Sequence, residues 1–485
     1  MDAVTRLIEP ALVIAGVARD TVARIEVEDP ATGLVFATVA DATPADLDDA
    51  FQAAAAAQPA WAARPYADRV ALLEAVSRRL GEHADELAAL LTREQGKPLA
   101  NARGEVAVAQ RWIAVMSQYD LEPEVLERTE EKIVELRREP IGVIAAITPW
   151  NVPLGLAAWK FVPALLAGNT MVLKPSPFTP VATARLGELV ADILPAGVLT
   201  VVTGGDELGA AMSQHPIPRK VTMTGSVATG RKVAVAAGHD LKRVTLELGG
   251  NDPAIVLADA DIADIAPRLF TAAFANNGQV CTAVKRIYAH DDVYDDLVAA
   301  LAAIAAETSV GNGLDEGVRL GPLANRAQRD RVEGFVDAAV RAGARVAAGG
   351  RRLDRPGWFY QPTIVADLPE GTDLETQEQF GPAVPVIRYR DLDQAIARAN
   401  AGDYGLGASV WGTDAGTAVA AAGRLEAGTV WVNAHLALSP SLPFGGHKHS
   451  GLGVENGLLG LHEYTRVRVV HLPITNGDAA GRVSP

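Results

Sequence analysis

One cysteine occurs in 485 residues, Cys281. A chain with a single cysteine forms no internal disulfide, which points to a reducing compartment and leaves one sulfur to explain. Basic residues are in deficit, 44 Lys and Arg against 59 Asp and Glu, for a net charge of -15. Such a surface repels phosphate backbones and argues against a nucleic-acid partner, although loops and helix ends still bind small anionic cofactors. Long apolar runs are missing. None reaches the roughly 18 residues a membrane span needs, and the best candidate, Leu154 to Gly168, is broken by Lys160. Met1 to Gly16 carries Asp2 and Glu9 and lacks the basic start and clean apolar block of a secretion leader. The expectation is a cytoplasmic protein without membrane association. No internal repeat or low-complexity linker stands out, and no residues suggest a metal site.

What is present is ordinary for a globular chain, 49% hydrophobic and 21% charged. The length suits two or three domains with sizeable cores. Residues 41–118 predict helices. Thr43 is a plausible N-cap before Pro44, and Ala54, Ala57, Trp61, then Leu72, Leu73, Val76 and Leu80, repeat at helical spacing. In the charged stretch 118–140, Lys132 to Arg138 alternates polar with apolar residues, as an edge or bridging strand does.

From 141 a strand–helix rhythm sets in. Strands are expected at Ile141–Ile147, Thr170–Leu173, Val198–Val202, Lys220–Met223 and Arg243–Leu248, each followed by a helix except the last. That alternation predicts a doubly wound parallel sheet. A second α/β set follows Gly250, with strands near 254–257, 286–290, 384–388 and 429–433. Residues 476–485 read as a loose tail.

In open α/β sheets ligands bind beyond the carboxyl ends of the strands, and the unusual residues of the first set fall there. They are Thr148-Pro149-Trp150-Asn151, Lys174-Pro175-Ser176, Thr224-Gly225-Ser226 and Glu247-Leu248-Gly249-Gly250. Each has a plainer reading. Lys174 is compatible with a strand-end lysine in solvent, and Ser226 with a simple N-cap. The helix start behind Gly225 also suits a phosphate, but the GxGxxG fingerprint is absent. Glu247 stands between Leu246 and Leu248, where burial should raise its pKa, as for a general base or an ion-paired carboxylate. Cys281 follows Asn276-Asn277-Gly278-Gln279-Val280. A buried inert thiol and a reactive one are evenly matched on this composition alone.

These segments, in this order, together with Glu378-Gln379-Phe380-Gly381-Pro382 and Pro443-Phe444-Gly445-Gly446, resemble the aldehyde dehydrogenase superfamily over nearly the whole chain. The resemblance implies an aldehyde dehydrogenase-like α/β fold with two doubly wound parallel-sheet domains and a small bridging β-element. Residues 1–117 and 141–249 would bind the dinucleotide and 250–464 would form the catalytic domain. Residues 118–140 and 465–475 would mediate oligomerisation, the strands near 132–138 and 465–472 pairing across a homodimer or homotetramer. Cys281 would be the nucleophile, Asn151 and the Cys281 N–H the oxyanion donors, Glu247 the base that activates water, and Glu455 a proton-relay carboxylate. Thr148, Pro149, Trp150, Lys174, Ser176, Gly225, Ser226, Leu248, Glu378 and Phe380 would hold the cofactor. Glu247 or a local dipole would help to ionise the thiol.

One position departs from the pattern. Many NAD-preferring relatives carry a glutamate three residues after the lysine, and here that residue is Pro177. NAD is favoured, since no Lys or Arg follows in Pro177-Phe178-Thr179, and NADP stays open. The expected reaction is NAD(P)-dependent oxidation of an aldehyde to the acid. A CoA-acylating relative is the alternative, against which Glu247 argues. A non-catalytic binding or structural protein on the same fold is a third reading, against which Cys281, Glu247 and Asn151 argue. Val152 and Gly155, where larger residues are common, suggest a roomy apolar pocket for a medium or bulky aldehyde.

Overall fold

A computed structural model describes residues 8–19 and 21–474; the expected tail, 476–485, lies outside the described residues. Four helices, Pro44–Ala62, Tyr66–Glu82, Ala84–Gln95 and Leu99–Met116, fill the stretch read as helical. Thr43 caps the first in a reciprocal box with Asp46, with Pro44 at its first position. Leu73, Val76 and Leu80 are fully buried at helical spacing.

The first large sheet orders its strands Gly451–Leu452, Arg243–Glu247, Lys220–Thr224, Val143–Ile147, Thr170–Lys174 and Leu199–Val201, all parallel except the first. The chain runs outward from Val143–Ile147 to Leu199–Val201, then crosses back to lay Lys220–Thr224 on the other side. The topological switch therefore falls between Val143–Ile147 and Lys220–Thr224, where a doubly wound sheet opens a crevice at its carboxyl edge. Alternate residues face two separate cores. Ile144, Ala146, Met171 and Leu173 pack on one side, Val143, Ala145, Val172, Val221 and Met223 on the other.

The second sheet runs Arg345–Ala348, Thr363–Ala366, Ala383–Tyr389, Val284–His290, Asp252–Val256, Gly407–Trp411 and Thr429–Val432, again parallel except for its first strand. It too is covered on both faces. Arg345–Ala348, Thr363–Ala366 and Gly407–Trp411 were not legible as strands. Arg345–Ala348 and Thr363–Ala366 span only four residues each, and Gly407–Trp411 opens on glycine, so none shows a clear period.

A third sheet joins Glu124–Arg128, Lys132–Pro140 and Thr465–Pro473 in antiparallel order. This corrects the expectation that the last two pair across a dimer. They pair within one chain, Val467 opposite Arg138 and Thr465 opposite Pro140. No helix among the described residues is long and apolar enough to cross a membrane.

Candidate active site

Cys281 ends a sharply folded loop. Asn276, Asn277 and Gly278 hold left-handed φ values of 49°, 60° and 73° in succession, a conformation that Asn and Gly tolerate best. A Cβ at Gly278 would overlap the Gly381 carbonyl, so that position needs glycine. Each amide side chain in the loop has work to do. Asn276 Nδ2 donates to the Asn151 carbonyl at 2.9 Å and Asn277 Nδ2 to Gly321 O at 3.0 Å. Gln279 Oε1 accepts from Ala324 N at 2.9 Å. The polar company of the cysteine thus builds a rigid loop that leaves Cys281 partly exposed.

Asn151 leaves strand Val143–Ile147 at the switch point. One N–H of its buried amide donates to Gln279 O, 2.9 Å away, tying it to the cysteine loop. Its own carbonyl accepts from Lys97 Nζ at 2.9 Å. Lys97 is in turn paired with buried Glu105, which accepts from Leu154 N and Gly155 N at the start of helix Pro153–Leu166. A Cβ at Gly155 would crowd Val152 Cγ1 at 2.9 Å and would meet Glu105 Cγ at an ordinary contact distance of 3.5 Å.

Glu247 closes strand Arg243–Glu247, 2% exposed, and among the described residues only the Cys281 thiol is placed to hydrogen-bond its carboxylate. Burial raises its pKa to about 8, and the charge of Glu455 adds to the rise. Burial also pushes the Cys281 thiol well above its usual value, and the Glu247 charge pushes it further. As a carboxylate Glu247 opposes the thiolate, so its help is restricted to taking the proton.

The two groups share a cavity of about 630 Å³. Its wall contains Pro149, Trp150 and Asn151 from one strand end, Gly225 and Ser226 from the next, Glu247 and Leu248 from the third, and Cys281, Glu378 and Phe380 from loops that lead into strands of the second sheet. Trp150 meets Phe380 edge to face, ring centres 5.2 Å apart. Ser226 Oγ accepts from Thr229 N at 3.2 Å and so caps helix Val227–His239, whose first turn opens on the cavity. Glu378 Oε1 accepts from Gly250 N at 3.0 Å.

Thr148, Lys174, Ser176 and Glu455 stand outside that wall. Thr148 is buried, its N–H bonded to Lys174 O at 3.0 Å. Lys174 is 3% exposed; burial lowers its pKa to about 8, against the charges of Asp206 and Asp41. Ser176 Oγ accepts from Phe178 N. Glu455 lies deeper, with Oε1 2.6 Å from Lys160 Nζ.

Several groups escaped the sequence reading. Gln328 and Arg331, one turn apart on helix Arg326–Arg341, line the cavity. Gln328 Nε2 donates to the Gln379 and Phe380 carbonyls and holds Phe380 at its left-handed φ of 50°. Arg231 and His449 complete the rim, 3.1 Å apart. Lys160 carried a signal, a lone charge in an apolar run, but registered only as a break in hydrophobicity.

The sequence matches the model of the aldehyde dehydrogenase family over residues 17–470. The phenylacetaldehyde dehydrogenase of Pseudomonas fluorescens is 40% identical over 465 residues, covering 92% of this chain and 91% of that protein. The glutarate-semialdehyde dehydrogenase of Pseudomonas putida strain KT2440 is 39% identical over 455 residues, covering 93% and 94%. Among solved structures, the NAD+ complex of an aldehyde dehydrogenase from Bacillus cereus superposes with a TM-score of 0.94 at 34% identity, covering 96% of this chain and 97% of that one.

Proposed function

Because the chain belongs to the aldehyde dehydrogenase family, which oxidises aldehydes with NAD(P), we propose that it is a hydrolytic member that prefers NAD and acts on an apolar aldehyde. The observation that carries this reading is Glu247, a buried carboxylate whose hydrogen-bonding neighbour is the thiol of the only cysteine, in the same cavity.

The residues fit a dinucleotide. Free amides at the start of helix Val227–His239 suit the pyrophosphate, the half-buried Glu378 carboxylate suits ribose hydroxyls, and Lys174 suits the second ribose. When bound, the cofactor accepts hydride. The chain's own residues do the rest. Cys281 Sγ attacks the aldehyde carbon while its proton passes to Glu247. The second N–H of the Asn151 amide and the Cys281 backbone N–H donate to the oxyanion, whose charge exists only once the tetrahedral centre has formed. Glu247 releases the thiol proton to solvent before deacylation; after oxidation to the thioester it takes a proton from the attacking water and returns it to the departing sulfur, so the acid leaves as the thiol is restored. Glu455, paired with Lys160, is the next buried group inward and receives the proton role implied by family resemblance.

Two finer choices follow from neighbouring charges. Asp206 and Asp41 bear on Lys174, so a 2′-phosphate there would meet two carboxylates although Pro177 removes the usual one. Apolar Val152, Trp159, Leu438 and Phe444 belong to the cluster that includes Cys281. Segment 433–441 has no Lys or Arg, and Arg268, which reaches it, donates to the Asn433 carbonyl and pairs with Asp264. These favour an apolar side chain on the aldehyde over a carboxylate. A turnover panel of aliphatic, aromatic and carboxylate-bearing aldehydes tests this, and a marked preference for the last would sink it.

Glu247→Ala tests the core of the proposal. Steady-state turnover should be lost while a single, slowed burst of NADH remains, because acylation loses its proton acceptor but deacylation loses the base that activates water. Unchanged turnover would refute the role of Glu247.

A further inference from the structure

Lys285 stands four residues after Cys281, in strand Val284–His290, and is 1% exposed. Its ammonium carries three N–H donors, and three main-chain carbonyls receive them. These are Val280 O at 2.7 Å, Cys281 O at 2.9 Å and Ala283 O at 3.3 Å. One side chain therefore gathers the turn that bears the nucleophile. The same ammonium lies 3.9 Å from Glu378 Oε1 and 5.7 Å from the centre of the Phe380 ring.

The charges around the thiol are unbalanced without it. Glu247 faces Sγ from strand Arg243–Glu247 and Asp252 from strand Asp252–Val256, and both disfavour a thiolate. Glu455 and Glu378 bear on Glu247, with Lys160 opposing them. His435 Nε2 sits 2.7 Å from Thr282 O, and burial drives its pKa down to about 3, so it brings no positive charge at neutral pH. Of the groups that act on the thiol, Lys285 is the one that favours ionisation.

We propose that Lys285 is a positioning residue for the reaction: its three carbonyl bonds hold the Val280–Ala283 turn that aims Cys281, and its charge beneath that turn offsets the carboxylates facing the thiolate. The inference rests on Cys281 being the nucleophile.

The single cysteine makes the test clean. Iodoacetamide incorporation against pH follows the ionisation of Cys281 and no other thiol. Lys285→Met and Lys285→Gln should move the inflection up by about one pH unit, slowing alkylation below it about tenfold. Lys285→Arg keeps the charge and should keep the wild-type inflection, while kcat falls because a planar fork cannot reproduce three converging bonds to one nitrogen. A purely structural lysine would leave the inflection in place. A folded Met or Gln variant with the wild-type profile overturns the proposal. Should neither neutral variant fold by circular dichroism, Lys285→Arg decides, since an inflection raised by about one unit with the charge retained also overturns it. Failure of the underlying reading has a separate signature: Cys281→Ser with full turnover would remove the nucleophile whatever the alkylation profiles show.

Discussion

Lys160 Nζ lies 2.6 Å from Glu455 Oε1, and both side chains are buried, at 0% and 2% exposure. Strand alternation explains the pair. Lys220, Thr222 and Thr224 face the same side of one strand, with Thr245 and Glu247 beside Thr222 and Thr224 on the next. This gives a polar strip in an otherwise apolar sheet. Lys160 Nζ reaches it at Thr222 Oγ1, 3.3 Å away, and Tyr464 OH meets the same hydroxyl at 3.3 Å.

The charges of this pair act on Glu247 in opposite directions, Glu455 raising its pKa and Lys160 lowering it. A general base works deprotonated, so kcat limited by deacylation should climb with pH through an inflection near 8. Glu455→Gln should move that inflection down, and Lys160→Met should move it up. Pre-steady-state separation of burst and turnover across pH checks both signs. Either variant should lose about 3 kcal/mol of stability by breaking a buried pair, so melting curves belong beside the rates.

Asn151→Ala should lower kcat/KM for aldehyde oxidation by about 10²–10³, the cost of one oxyanion donor. Because the amide also ties the cysteine loop through Gln279 O, the alkylation rate of Cys281 should be measured in parallel. A loss of turnover with alkylation preserved assigns the effect to the oxyanion.

NAD should be preferred over NADP, and Asp206→Ser should narrow the gap by about tenfold, which corresponds to 1.4 kcal/mol of removed repulsion. The ratio of kcat/KM for the two cofactors measures it. An unaltered ratio would show that Asp206 does not face the 2′ position.

Stability should depend on Glu94. Wholly buried, it accepts from Val181 N at 2.6 Å and Ala182 N at 3.2 Å at the start of helix Val181–Val190, and burial raises its pKa from 4.5 to about 8. A folded pKa above the unfolded one means that the native state holds the extra proton. The stabilising contribution is complete below about pH 4.5 and is lost as pH rises through 8. Melting temperature should therefore decline between these limits, less steeply in Glu94→Gln. Glu94→Ala, which removes both acceptors, should cost about 2 kcal/mol below pH 4.5, and the cost should shrink as pH rises toward 8.

Assembly should use the small antiparallel sheet. Strand Glu124–Arg128 is an exposed edge, and Val467 and Val469 stand 55% and 50% exposed on Thr465–Pro473. Unpaired edges and apolar strand faces invite pairing with a second copy. The double variant Val467→Lys, Val469→Lys should sediment as a smaller species than wild type, with the single-chain pairing of Thr465–Pro473 unaffected.

Much of the first sheet was readable because its signals are local. Strand Thr170–Lys174 is a short apolar run stopped by Pro175, and Thr43-Pro44 starts a helix through its own hydrogen-bonding groups. Glu247 drew attention as a charge between two leucines. Lys285 did not, because nothing in its neighbours' identities reveals that three carbonyls converge on it. The surroundings of Gly155 are likewise set by the fold, which brings Val152 Cγ1 to 2.9 Å from where a Cβ would stand.

By itself the sequence determined the strand–helix alternation, the acidic surface, the single thiol and the motifs at the strand ends, since each depends on neighbouring residues or on simple counting. Tertiary structure decided which groups meet: Asn151 with Gln279, Lys160 with Glu455, Glu247 with Cys281, and Lys285 with the nucleophile's own carbonyl. It also decided their charge states. Desolvation and the approach of charges from distant strands set a pKa, and neither is encoded in the order of residues along one segment.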